Sequence, residues 1–301
     1  MKNTLVVIVG PTGIGKTGIG IMLANHLKTE IISADSRQIY REMEIGTAVP
    51  SIVQQKKARH HFIQTRSIHD YYNASMFEME VLDLLEKLFL KKDILLLVGG
   101  SGLYVDAVCK GIDDIPTIDP EVRKNLVHLY KKEGIESLRR QLNILDPVYY
   151  RRVDLKNHKR ILKALETSIM TGKSYSSFLT RQAKVRNFQI LKIGLNRERK
   201  GLYESIDQRV DAMVRTGLVE EAKNLFAYRE INALNSVGYK ELFEHFEGRH
   251  TLDEAIRLIK RNSRRYAKRQ LSWFSRDKEI MWFHPDESED IIRLIEKKTS
   301  V

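Results

Sequence analysis

The run Gly10-Pro-Thr-Gly-Ile-Gly-Lys-Thr17 has the spacing G-x-x-x-x-G-K-[ST]. Glycines so placed let the backbone curl until several N–H groups converge on one spot, which is how a chain cradles phosphate oxygens. Lys16 adds a mobile positive charge, and the Thr17 hydroxyl suits a Mg²⁺ ion bridging two phosphates. Gly10, Pro11, Thr12, Gly13, Ile14, Gly15, Lys16 and Thr17 are therefore expected to hold a phosphate-bearing compound. The loop does not name that compound. A nucleotide hydrolase carries a metal-organising Asp at the end of another strand, but the obvious strand, residues 94–98, ends in Gly99-Gly100. The other acid in reach is Asp35, after a short apolar run. At the C-terminal end of a strand it would face the phosphates across the crevice and serve as general base on an acceptor. Its alternative role is to cap a turn or to organise metal-bound water.

A second signal lies near the C-terminus. Arg257, Lys260, Arg261, Arg264, Arg265, Lys268 and Arg269 follow a 3, 1, 3, 1, 3, 1 spacing, a stripe along a helix. Thr251-Leu-Asp-Glu254 resembles a capping box at its start. No Asp or Glu occurs from 255 to 276, so no carboxylate on the same helix balances the row. Phosphates of nucleic acid or diphosphate are the expected partner.

These groups need a frame to hold them. Residues 5–9 read as a buried parallel strand ending at Gly10, followed by a helix from Lys16 to His26. Glu30 to Ala34 and Ile94 to Val98 read as further strands. Met76, Met79, Leu82, Leu85 and Phe89 mark a helix between them. The alternation predicts an α/β fold, a parallel sheet flanked by helices of the P-loop NTPase type. From Gly111 the pattern turns loop-like and then helical, and Leu191, Ile193 and Leu195 mark a return to the sheet. Residues 1–112 and 187–301 are thus expected to form the core, with 113–186 a helical insertion. Apolar residues at 42% and charged ones at 30% are those of a globular chain. Lys plus Arg at 51 against 39 acids gives +12, which favours a polyanionic partner. The single cysteine, Cys109, excludes an internal disulfide and Cys-rich zinc sites and reads as a buried thiol. With no signal peptide and no apolar run of spanning length, a cytoplasmic protein is expected.

Further short motifs run in order along nearly the whole chain. They are Ala34-Asp-Ser-Arg-Gln-Ile-Tyr40, Gly46-Thr-Ala, Val98-Gly-Gly-Ser-Gly-Leu-Tyr104 and Arg160-Ile-Leu-Lys-Ala-Leu-Glu166. Gly238-Tyr-Lys-Glu241, Arg264-Arg-Tyr-Ala-Lys-Arg-Gln270 and Trp273-Phe274 complete the set. With Gly10 to Thr17, this set resembles the bacterial tRNA dimethylallyltransferases, also called tRNA isopentenyltransferases. The resemblance implies transfer of a dimethylallyl group from dimethylallyl diphosphate to N6 of the adenosine 3′-adjacent to the anticodon, with diphosphate leaving. It implies Mg²⁺ at Thr17, charge stabilisation by Lys16 and Thr17, Asp35 as the base, and an anticodon stem-loop gripped by the insertion. Arg209, in Asp207-Gln-Arg-Val-Asp211, is the candidate for a further diphosphate clamp; a surface salt bridge is its other reading.

The target base must leave the anticodon stack to react. Ser36, Arg37 and Gln38 adjoin Asp35 and suit its recognition, since the Gln38 amide both donates and accepts. Ser101 and Arg123 match family positions that contact tRNA, as does the segment Lys159, Arg160, Ile161, Leu162 and Lys163. Arg264, Arg265 and Lys268 are the expected tRNA contacts on the stripe. A monomer is implied as well. Three features depart from the family: Gly13 replaces the commoner Ala, Val49 stands where Lys is usual, and Gln64 replaces an Asp after His60-His61. A small-molecule kinase shares the loop and the Asp but not the basic stripe. A nucleic-acid-stimulated NTPase lacks its Asp after Val98, and a non-catalytic RNA-binding module leaves Lys16, Thr17 and Asp35 unused.

Overall fold

A computed structural model of the chain describes residues 3–116, 119–180 and 182–299. The chain divides into two compact units, Met1–Lys110 with Val185–Val301, and Gly111–Lys184. The first unit begins β1 (Thr4–Val9), α1 (Lys16–His26), β2 (Ile31–Ser33), α2 (Ile52–Lys57), β3 (His60–His61), α3 (Ala74–Phe89), β4 (Ile94–Gly99) and α4 (Gly102–Lys110). The second unit holds α5 (Pro120–Glu133), α6 (Ile135–Leu145), α7 (Pro147–Tyr150), α8 (His158–Thr171) and α9 (Tyr175–Phe178). The first resumes with β5 (Gln189–Leu195), α10 (Arg199–Arg215), α11 (Leu218–Leu225), α12 (Tyr239–Phe246), α13 (Leu252–Phe274), β6 (Met281–Phe283) and α14 (Ser288–Thr299).

The six strands form one sheet, ordered β3-β2-β4-β1-β5-β6, and every pairing is parallel. β1 lies between β4 and β5, buried along its whole length, as its unbroken apolar run requires. Val6 and Ile8 point to one face, packed with Ile21 and Leu23 of α1, Leu202 and Ile206 of α10 and Ile291 of α14. A second apolar cluster joins α10 to α13 through Val210, Leu218, Tyr239, Leu242 and Ile259, and takes in Ile39, Tyr40 and Met43. The short edge strands β3 and β6 have no periodic signal to betray them in sequence. The buried face of α3 is Ala74, Phe77, Glu78, Val81 and Leu85, whereas Met79 is exposed. Apolar spacing misplaced that face because a buried Glu78 sits on it, paired with Arg186 at 2.8 Å.

The helical unit closes on Leu126, Leu138, Leu142, Ile161, Ala164 and Leu165. Fully buried Asp146 caps two helices at once: its carboxylate accepts from the N–H of Tyr149 and from the N–H and hydroxyl of Ser176. Among the described residues, no helix is long and apolar enough to cross a membrane.

Candidate active site

The glycine loop leaves the C-terminal end of β1, the central strand, and opens directly into α1. Gly13 adopts φ +78°, and a Cβ there would lie 2.8 Å from the Ile206 side chain. Glycine meets this positive φ without strain, whereas the Ala usual in the family would press on the Ile206 side chain. Gln270 of α13 locks the loop from the other side. Its Oε1 accepts from the Thr12 N–H at 2.8 Å, and its Nε2 donates to the Gly100 carbonyl at 2.9 Å.

Two connected chambers lie at these strand ends. The smaller, about 120 Å³, is lined by the loop residues Gly13, Gly15, Lys16 and Thr17 with Ser33, Gln38 and His60. The larger, about 460 Å³, is lined by Ser36, Arg37, Thr47, Ile206, Val210, Met213, Ile259, Ser263 and Arg269. Thr12, Asp35, Arg209 and Tyr266 border both. The pair is thus an anion-shaped recess opening, past a carboxylate and a guanidinium, into a wider and more apolar space.

Charge in this junction is unbalanced. Lys16 Nζ donates to the carbonyls of Gly10 at 3.0 Å and Pro11 at 2.8 Å. Burial pushes its pKa down to about 7; Arg209 adds to that, and Asp35 opposes it. Burial also lowers the Arg209 guanidinium, again against the pull of Asp35. Two buried cations against one carboxylate make a site that lacks an anion. Arg209 belongs to no ion pair among the described residues. Its neighbours Asp207 and Asp211 instead pair with Arg264 and Lys260 of α13, both at 2.6 Å.

Asp35 has a divided role. Its Oδ1 accepts from the N–H groups of Arg37 at 2.9 Å and Gln38 at 3.3 Å. Among the described residues Oδ2 has no hydrogen bond, so the carboxylate that caps the turn keeps its second oxygen open to the chambers. Ser101 steadies the same turn: its Oγ accepts from the Ser36 N–H at 3.0 Å and bonds the Ser36 hydroxyl at 3.1 Å. Arg37 lines the larger chamber and donates to the Asn232 carbonyl at 3.2 Å.

Several expected tRNA contacts need correction. Gln38 cannot read a base edge, because its amide is spent: Oε1 accepts from Ser33, and Nε2 donates to the carbonyls of Thr47 and Ala48. Arg264 is neutralised by both oxygens of Asp207, at 2.6 Å each, so the stripe finds carboxylates on α10 besides the one that Glu254 of its own helix gives Arg257. Arg265 and Lys268 are exposed and form no ion pair among the described residues. The capping box at Thr251 is half made: Thr251 accepts from the Glu254 N–H, while the Glu254 carboxylate turns to Arg257. In the helical unit, Ile161 and Leu162 are 0% and 8% exposed and belong to its core. Five consecutive helical residues cannot share one face, and the turn of α8 leaves Lys159 and Arg160 outside. Lys163 is half-buried, and burial lowers its pKa. Arg123 forks onto fully buried Glu166, at 2.7 and 3.0 Å, and so stabilises its own unit.

Tyr266 and Gln270 are the site residues that sequence reasoning missed, while Arg269, read only as one cation of the stripe, lines the larger chamber. Tyr266 hydrogen-bonds Ser101, its pKa pushed up to about 12 by burial, and the Arg269 guanidinium lies 5.6 Å from its ring centre. The helical stripe held the signal, since Tyr266 and Gln270 lie four residues apart on its inner face. His61 pairs with Glu30 at 2.7 Å, and His60 bonds the Ala58 carbonyl while bordering the smaller chamber. The oxygen donors Thr17, Ser33 and Asp35 around that chamber suit Mg²⁺ held jointly with phosphate oxygens and water. No cluster of three or more His, Cys, Asp or Glu exists among the described residues to cage a metal by protein alone.

The family model described as IPP transferase matches residues 38–277. The tRNA dimethylallyltransferase 1 of Bacteroides fragilis (strain YCH46) is 52% identical over 294 residues, covering 98% of each chain. The tRNA dimethylallyltransferase of Christiangramia forsetii is 50% identical over 299 residues, covering 99% of each. The crystal structure of the full-length tRNA isopentenylpyrophosphate transferase from Bacillus halodurans superposes with a TM-score of 0.72 at 36% identity, covering 99% of this chain and 97% of that one.

Proposed function

The chain belongs to the IPP transferase family, and from that premise we propose that it transfers a dimethylallyl group from dimethylallyl diphosphate to N6 of the adenosine 3′-adjacent to the tRNA anticodon. The observation that carries this reading is the pair of chambers meeting at Asp35 and Arg209. The diphosphate occupies the smaller chamber, against the loop N–H groups, the positive end of α1, Lys16 and Arg209. The adenine, extruded from the anticodon loop, enters the larger one. The allylic carbon then lies at their shared border.

The adenine amino group is a weak nucleophile. Asp35 takes its proton as the carbon–nitrogen bond forms and the carbon–oxygen bond to diphosphate breaks. Lys16 and Arg209 hold the charge growing on the leaving group in a dry setting, where it counts most. Thr17 would hold a Mg²⁺ ion, which when bound would neutralise part of that charge. Water-poor walls such as Ile206, Val210 and Ile259 protect the allylic cation character from hydrolysis. Exposed Lys159 and Arg160 on the helical unit, with Arg265 and Lys268 on α13, supply phosphate contacts for the anticodon arm. One chain lines both chambers, so a monomer suffices.

The test incubates the protein with Mg²⁺, radiolabelled dimethylallyl diphosphate and unmodified tRNA, then maps the label in digested nucleosides. Label on N6 of that adenosine is the expected result. Protein that binds tRNA yet transfers no label from any allylic donor would overturn the reading.

A further inference from the structure

Two of the sequence motifs, Gly46-Thr-Ala and Gly238-Tyr-Lys-Glu241, supply no group that the reaction above uses directly. They meet in space at one carboxylate, Glu221, in the first turn of α11. Its Oε2 accepts from the N–H groups of Glu44 at 2.9 Å and Ile45 at 2.7 Å. Its Oε1 accepts from the Gly46 N–H at 2.8 Å and from the Tyr239 hydroxyl at 2.6 Å. Four donors converge on two oxygens, so both ends of the carboxylate are committed. Tyr239 is fully buried, and a Cβ on Gly46 would lie 2.5 Å from its ring. The Gly238 turn behind it is held by Glu241, which accepts from the Gly238 N–H at 2.8 Å and from Asn262 at 2.7 Å.

What Glu221 holds is the wall of the reaction site. The backbone it captures continues into Thr47 and Ala48, and Ala48 sits at φ +49°, a conformation that needs outside support. The Thr47 carbonyl accepts from Arg209 at 3.5 Å and from Gln38 at 3.2 Å, and the Ala48 carbonyl accepts from Gln38 at 3.0 Å. Gln38 in turn gives its N–H to Asp35. We propose that Glu221, braced by Tyr239, is a positioning residue: it fixes the 44–48 turn so that the Thr47 carbonyl aims Arg209 at the diphosphate. The inference rests on the reading of Arg209 as a diphosphate clamp. A carboxylate suits this task because it accepts on both sides, whereas an amide must turn an N–H against either the turn or Gly46.

The experiment is a double-mutant cycle read by calorimetric titration of inorganic diphosphate with Mg²⁺ onto the full chain. Glu221→Gln should weaken diphosphate binding about tenfold, the scale of a small misplacement of a clamping group. It should leave tRNA affinity unchanged. Arg209→Ala should weaken diphosphate binding at least as much, and the double variant no further than Arg209→Ala alone. Tyr239→Phe, which deletes one O–H, should shift binding in the same direction and carries the cycle if Glu221→Gln does not fold. Additive losses in the double variant would make Glu221 merely structural and overturn the proposal. So would normal diphosphate binding by Glu221→Gln beside a clear defect in Arg209→Ala. Wild-type binding by Arg209→Ala would overturn the clamp reading and, with it, this inference.

Discussion

Asp35 commits one of its two oxygens to structure and leaves the other without a hydrogen bond among the described residues. Because Oδ1 caps the turn over Arg37 and Gln38, removing the whole carboxylate would disturb the turn as well as the proposed base. Asp35→Asn keeps an acceptor for the turn and removes the base. It should lower turnover by roughly 10²–10⁴ with little change in binding of the allylic diphosphate; a single-turnover rate near wild type would remove Asp35 as base. Lys16 gives a second prediction. Its pKa in the free protein is pushed down to about 7, so above that pH the amine is mostly neutral. A bound dianion restores the charge, and binding then takes up a proton. Affinity for allylic diphosphate should therefore fall as pH rises from about 7.5 to 9, by up to about tenfold per unit. A flat Kd across that range would mean that Lys16 is already charged. Stability takes the opposite sign: between about 7 and the model-compound value of 10.5 the unfolded chain binds more protons at Lys16, so this lysine's contribution grows as pH rises.

At the scale of elements, α13 works on two sides. Its inner side delivers Tyr266 and Gln270 to the site, and Gln270 clamps the loop to the end of β4. Gln270→Leu leaves the Thr12 N–H and the Gly100 carbonyl without that partner and should cost about 1–3 kcal/mol of stability, measured by urea unfolding. Its outer side is less basic than its sequence, since Lys260 and Arg264 are matched by α10. Replacing exposed Arg265 and Lys268 by Gln should weaken tRNA binding and flatten its salt dependence by roughly 0.7–0.9 per contact in the log–log slope. An unchanged slope would place the tRNA elsewhere. Arg264→Gln should instead strand Asp207 and register chiefly in the melting temperature. The sequence displayed the stripe plainly. It could not display the carboxylates that meet Lys260 and Arg264, because Asp211 and Asp207 lie far back along the chain and become neighbours only when α10 packs on α13.

For the molecule as a whole, the junction of two cations and one carboxylate makes the core unit's stability depend on an anion. Mg²⁺ with diphosphate at about 100 times Kd should add about 2.7 kcal/mol and raise Tm, and chelating the metal should remove much of that gain. A Tm indifferent to both would show that the chambers bind another class of ligand. The net charge of +12 is likewise a global quantity that misleads locally. Arg123, Arg186 and Lys192 are bound to carboxylates within their own units and serve cohesion.

The sequence by itself determined the strand–loop–helix at 4–26 and the α/β class, and it singled out Lys16, Thr17 and Asp35, which the fold brings to one chamber. Each of these rests on local rules: an unbroken β-branched run buries, glycines open a loop, and a helix follows its cap. Only the tertiary structure decided which polar groups remain available. Gln38 looked like a reader of bases until three partners engaged its amide; Arg209 read as either a diphosphate clamp or a surface pair until α13 took both neighbouring acids. Hydrogen-bond partners are chosen by proximity after packing, and periodicity along the chain carries no record of that choice. The same holds for Glu221, which has no motif of its own and draws its role from the turn it captures.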